Sequence, residues 1–386
     1  MPVRNRFAEL HEEITAWRQD FHAHPELQFD VHRTAGIVAE KLREFGCDEV
    51  VEGIGKTGVV GIINGRQEGE RCVGLRADMD ALPILEATGL DYASTTPGKM
   101  HACGHDGHTS MLLGAAKYLA ETRNFAGKVS VIFQPSEEGG GGGREMVNDG
   151  MMDKFGVDEV YGMHNWPGQP VGSFAIRPGP FFAGTAEFTI TVKGQGGHAA
   201  KPHESCDPTV AAAQMVVALQ SVVSRNLDPV RQLVVSVTSF VTASTAYNVI
   251  PPSVELRGTV RALEAEVADM AETRIREIAT HTAQAFGAVA EIDYQRNYPV
   301  MENHETETVY AAEAARSVTG KCDEAPLVMG GEDFSYMLLE RPGAYILLGN
   351  GETATVHTPE YNFNDEAIPY GCSWFVEVVE SRLAAA

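Results

Sequence analysis

Short apolar runs alternate with stretches of helical periodicity over residues 6–180, and most of the runs stop at a chemically active side chain. Val59–Ile63, Val73–Ala77, Val129–Phe133 and Glu159–Met163 have the length and character of buried strands. Helical patterns over Phe7–His22 and Arg33–Phe45 precede them, and others from Thr109 to Ala120 and over Arg144–Asn148 separate them. This alternation predicts an α/β chain with a mostly parallel sheet flanked by helices. In such a sheet the carboxyl ends of the strands gather at one edge, where sites are built.

The residues at those ends are metal-ligand and acid–base types. Gln134-Pro135-Ser136-Glu137-Glu138-Gly139 follows one apolar run. Adjacent side chains at a strand end point different ways, so one carboxylate can bind a metal while the other faces a bound water. A solvated acidic loop is the plainer alternative. Met100–His108 packs three His, one Cys and one Asp into nine positions. In extended backbone Cys103 and His105 would share a side and grip one metal. His101 and His108 are weaker candidates, suited to a supporting or surface role. His164 ends the Glu159–Met163 run, and His357 follows a further strand pattern at Ala344–Leu348. Asp78 and Asp80 end the Val73–Ala77 run. Asp80 reads as a carboxylate that orients a ligand or binds the metal weakly, and Asp78 reads equally well as that or as a turn former.

The pattern changes after Pro180. Ala186–Val192 alternates cleanly, a long helix fills Pro208–Ser224, and strands follow at Leu233–Val241 and Val254–Ala262. An amphipathic helix at Glu264–Phe286 and a strand at Ala290–Gln295 complete a β-α-β-β-α-β order, that of the ferredoxin-like split βαβ sandwich. The expected division is a discontinuous catalytic domain, residues 1–184 and 297–386, interrupted by an inserted domain over 185–296. The insert carries its own polar group. His198 follows a glycine-rich turn and could stabilise an oxyanion, Asn248 precedes the third strand, and Arg261 could clamp a carboxylate. No strand–GxGxxG–helix unit supports nucleotide binding. The run Gly139–Gly143 reads either as a flexible loop or as backbone passing close to the metal site.

Composition excludes several partners. With 30 basic and 53 acidic residues the net charge is −23, so nucleic acid and anionic membranes would be repelled. No apolar stretch can span a bilayer. The N-terminus leads into an amphipathic helix rather than a signal sequence. Six scattered cysteines without framework spacing point to reducing cytoplasm.

Taken together, several motifs identify a family resemblance: His22-Ala23-His24-Pro25-Glu26-Leu27, Gly74 to Pro83, His101-Ala102-Cys103-Gly104-His105-Asp106, Gln134 to Gly139, Gly162-Met163-His164-Asn165, Gly196-Gly197-His198, Asn248-Val249-Ile250-Pro251 and Gly330-Gly331-Glu332-Asp333-Phe334. The chain resembles M20 metallopeptidases and amidohydrolases, in the branch of hippurate hydrolase, N-acyl-amino-acid amidohydrolases and auxin-conjugate hydrolases. The resemblance implies two divalent metal ions per subunit held by Cys103, His105, Glu138, His164 and His357, with Cys103 as a bridging candidate. Manganese or zinc would suit this donor mixture, as would cobalt or nickel. It further implies Glu137 as general base and His198 as an oxyanion group reaching a neighbouring subunit, with Asn248 and Arg261 holding substrate. The insert would form a homodimer or homotetramer. The expected reaction is metal-assisted cleavage of N-acyl amino acids to a carboxylic acid and a free amino acid. Alternatives are a dipeptidase, an N-acetyl-diaminopimelate-type deacetylase, a non-catalytic metal-dependent binding protein, or a thiol hydrolase using Cys103.

Overall fold

A computed structural model describes residues 5–384 and places them in two compact units. The first draws on residues up to Gly179, on Glu302–Pro326 and on the chain from Asp333 onward. The second comprises Pro180–Met301 and Leu327–Glu332.

The first unit is built on an eight-stranded sheet. Its four central strands, Ala126–Gln134, Gln67–Asp78, Glu159–Trp166 and Gly343–Gly349, lie side by side and run parallel. The Gly58–Asn64 strand is antiparallel to both its neighbours, Glu49–Ile54 and Ala126–Gln134. Only a short turn separates Ile54 from Gly58, too few residues for the crossover that a parallel pair needs. Short strands at Phe174–Ile176 and Asp323–Glu324 complete the far edge. Helices Asn5–Ala23, His32–Glu44, His105–Thr122, Glu305–Thr319 and Ile368–Arg382 share one apolar core with the sheet. The helix His105–Thr122 is buried around most of its circumference, which explains its continuous apolar stretch. Because the central strands are parallel, Asp78, Gln134, His164 and Gly349 all fall at one edge.

The second unit has the β-α-β-β-α-β order: strand Gly184–Lys193, helix Pro208–Leu219, strands Leu233–Thr242 and Ser253–Ala262, helix Ala265–Ala285 and strand Val289–Arg296. The strands pair antiparallel in the spatial order fourth, first, third, second. The two helices and the sheet enclose a second core centred on Phe188, Ile190, Leu256 and Ile275. The helix expected to reach Ser224 ends at Leu219 and gives way to a wider turn at Val222–Asn226. Leu327–Glu332 joins this unit because Ala183 N–H donates to the carbonyls of Val328 and Gly330. None of the six cysteines is in a disulfide, and no described helix is long and apolar enough to cross a membrane.

Candidate active site

The two adjacent glutamates are fixed by Asp80. Its buried carboxylate accepts the backbone N–H of Glu137 (2.8 Å) and that of Glu138 (3.1 Å), so one side chain sets the turn carrying both. The glycine run behind them is not a slack loop. Gly142 N–H donates to the Ser136 carbonyl (3.0 Å), and a Cβ on Gly142 would lie 1.6 Å from the Pro135 carbonyl oxygen. Chain closure there demands glycine.

The Met100–His108 segment differs from the extended loop expected. Gly104 sits at φ 94° and caps a helix that begins at His105. A polar first turn and a left-handed glycine hid this helix start from a periodicity reading. Cys103 and His105 are therefore brought together by a turn rather than by strand alternation. His357 also has a left-handed backbone (φ 65°), rare for a residue other than glycine, and its N–H donates to the Ala102 carbonyl (2.7 Å).

These segments converge. Donor atoms of Cys103, His105 and His164 lie within 4.8 Å of one another, as do those of Cys103, Glu138 and His357, and those of His105, Glu137 and Glu138. Cys103 Sγ is 3.4 Å from His164 Nε2, and His357 Nε2 is 3.2 Å from Glu138 Oε1. Every expected ligand and the expected base are thus in one cluster. His108 and His101 are buried, which excludes a surface role for either. Asp78 is buried as well and is no turn former. It accepts from Arg76 (2.8 Å) and from His108 Nδ1 (2.6 Å), and lies 3.7 Å from His105 Nε2.

The electrostatics call for a cation. Burial, followed by Glu138, Glu137 and Asp78, pushes the Cys103 thiol well above its ordinary range. That makes it a poor free nucleophile and weighs against the thiol-hydrolase alternative. Burial disfavours a charged His105, yet Asp78, Asp80 and Glu138 overcome it and lift the ring to about 10. The cluster thus draws a positive charge onto the nearest base. Burial holds His164 neutral, well below its usual value. Both ring nitrogens of His105 are buried without a hydrogen bond, the nearest acceptors being Asp80 at 3.5 Å and Asp78 at 3.7 Å. An orphaned buried imidazole beside a thiol and carboxylates fits divalent cations.

In the second unit, His198 and Asn248 are neighbours. His198 pairs with Val249 across a two-residue ladder, and Ala199 N–H donates to the Asn248 carbonyl (3.0 Å). Both are exposed. Arg261 lies at the other end of its strand, paired with Thr185, whereas Ser253 at the near end pairs with Lys193. Eight residues of extended chain separate those ends by roughly 26 Å. Within one protomer, Arg261 is not brought together with His198 and Asn248.

Sequence reasoning missed two supporting groups. Arg76 is buried and donates to Asp78, Gln134 (2.9 Å) and Asp333 (3.0 Å). Asp333 also accepts from Gln134 Nε2 (2.7 Å) and Gly143 N–H (2.8 Å), and so grips both ends of the glutamate turn. Both residues lie in motifs visible in the sequence, but their partners are far away in the chain.

A strand-edge cluster of this kind on an α/β sheet, with a second antiparallel unit in the same chain, defines a metallohydrolase. The chain belongs to peptidase family M20/M25/M40, whose pattern matches residues 74–381. It is similar to the hippurate hydrolase of Campylobacter jejuni, 41% identical over 374 residues and 96% of each chain. It is 42% identical over 319 residues to the N-acyl-L-amino acid amidohydrolase of Geobacillus stearothermophilus, covering 82% of this chain and 85% of that one. The crystal structure of Bacillus subtilis YXEP, a dinuclear metal binding peptidase of the M20 family, matches with a TM-score of 0.86 at 34% identity. That match covers 98% of this chain and 100% of the other.

Proposed function

We propose that this chain is a metal-dependent amidohydrolase that splits the amide bond of N-acyl amino acids into a carboxylic acid and a free amino acid. The observation that carries the reading is the paired glutamates held by Asp80, one grouped with Cys103 and His357, the other reaching the same cluster beside His105. A binding protein has no use for a second carboxylate so placed.

Cys103, His105, Glu138, His164 and His357 would hold two divalent ions per subunit, manganese or zinc by preference. The bound cations would polarise the amide carbonyl and acidify the attacking water. Glu137 takes the proton from that water and returns it to the departing nitrogen. Asp80 keeps the Glu137 backbone in place through both halves of that transfer. His198 stabilises the developing oxyanion, and Asn248 and Arg261 hold the substrate. Since Arg261 is remote from the other two in one protomer, complementary protomers of a homodimer or homotetramer, paired through the second unit, would supply them.

The test is amino-acid release from N-acetyl, N-benzoyl and N-indolylacetyl amino acids and from simple dipeptides, on chelated protein and after adding manganese or zinc. Metal-restored release from the acylated set supports the proposal. Release from dipeptides alone moves the activity to a peptidase, and no metal dependence overturns the reading.

A further inference from the structure

Asn165 follows His164 at the end of its strand and is fully buried. All four of its polar groups are engaged. Its side-chain Nδ2 donates to the Cys103 carbonyl (2.6 Å), and its Oδ1 accepts from the Tyr361 hydroxyl (2.5 Å). Its backbone N–H donates to His108 Nε2 (3.0 Å), and its own carbonyl accepts from His164 Nδ1 (2.6 Å). Nδ2 also lies 3.0 Å from His108 Nε2.

Chemistry leaves these assignments little freedom. A carbonyl only accepts, so the amide nitrogen faces Cys103 and the amide oxygen faces Tyr361. A backbone N–H only donates, so His108 Nε2 is unprotonated and the ring proton sits on Nδ1, facing Asp78 Oδ1 at 2.6 Å. By the same logic the His164 proton is on Nδ1, which leaves the Nε2 lone pair facing Cys103 Sγ. Tyr361 lies four residues beyond His357 on the same loop. The fit around this node is close. A Cβ on Gly104 would lie 2.2 Å from Asn165 Nδ2 and 2.5 Å from the Tyr361 hydroxyl.

We propose that Asn165 is a positioning residue for the metal ligands, joining through one amide group the segments that carry Cys103, His164 and His357. The inference rests on the metal role proposed for those three residues. Asn165 itself reaches neither metal nor substrate; it acts by fixing one backbone carbonyl, one imidazole tautomer and one loop. Partners standing behind metal ligands typically contribute about 10–100-fold to metal affinity.

Cobalt(II) serves as the probe. The chelated full-length protein and its Asn165→Asp, Asn165→Ala, Tyr361→Phe and Cys103→Ala variants are titrated against a competing chelator, and thiolate-to-cobalt absorption is recorded. Urea midpoints of the metal-free proteins are measured alongside. The expected result is cobalt binding weakened about 10–100-fold in the Asn165 variants. Tyr361→Phe, which removes one hydroxyl and little volume, is expected to shift the absorption and weaken binding while its metal-free midpoint stays near the parent's. Parental affinity and absorption in Asn165→Ala and Tyr361→Phe overturn the inference. So does a loss of affinity matched by an equal loss of metal-free stability with unchanged absorption. If Cys103→Ala binds cobalt as the parent does, the metal-site reading falls first. If Cys103→Ala loses cobalt and the other variants do not, the inference alone falls.

Discussion

Asp80 accepts two backbone N–H groups, and in doing so it decides where Glu137, the proposed general base, and Glu138, a proposed metal ligand, point. Replacing it with Asn would turn one acceptor into a donor facing a donor, which a buried turn cannot relieve. Asp80→Asn should lower kcat about 10–100-fold with KM little changed, checked by steady-state kinetics on the best acyl amino acid. A parental kcat would mean that the turn holds without it. At this scale the sequence was informative about residue types. Cys103, His105, Glu137, Glu138, His164 and His357 stand out because thiol, imidazole and paired carboxylates, the donor types that divalent metals take, each follow a short apolar run. What could not be read was who holds them. Asn165 looks like any polar residue after a strand, and its four partners come from Cys103, His108, Tyr361 and its own neighbour His164.

Among the elements, the four parallel strands were legible because strands buried on both faces leave unbroken apolar runs. The short strands at Phe174–Ile176 and Asp323–Glu324 left no pattern, being too brief for periodicity. The helix beginning at His105 was placed late because its first turn is polar and faces the site. The strand ends are tied by the buried Arg76, which bridges Asp78 on its own strand and Asp333 beside the glutamate turn. Removing one partner of a buried ion pair leaves the other uncompensated. Asp333→Ala should therefore cost about 3–5 kcal/mol in urea unfolding. A cost below about 1 kcal/mol, the range of an exposed pair, would show that Arg76 finds other compensation.

For the molecule as a whole, the β-α-β-β-α-β order of the second unit was visible in alternation alone, whereas the attachment of Leu327–Glu332 to it was not, since it is made by a few backbone hydrogen bonds with Phe181 and Ala183 that leave no side-chain pattern. Global stability should carry a signature from His22, a motif residue with no role in the proposed chemistry. Burial disfavours its charge, but hydrogen bonds to Asp106 (2.8 Å) and Glu86 (3.2 Å) overcome this and raise it to about 9. A pKa raised on folding stabilises fully below the unfolded value, about 6.5, and that contribution is lost as pH climbs through the folded value. Stability should thus decline between about pH 6.5 and 9, by something on the order of 3 kcal/mol from this group. His22→Gln should flatten that decline in urea midpoints measured across the same window, and an unchanged slope would remove His22 as its source.

The central claim is that Glu137 moves the proton while its neighbours hold the metal, and Glu137→Gln tests it most directly. Metal content by elemental analysis and turnover of an N-acyl amino acid are measured on the same preparation. The expected result is parental metal content with kcat lowered about 10²–10⁴-fold, the range for a lost general base. Parental turnover in Glu137→Gln would contradict the account.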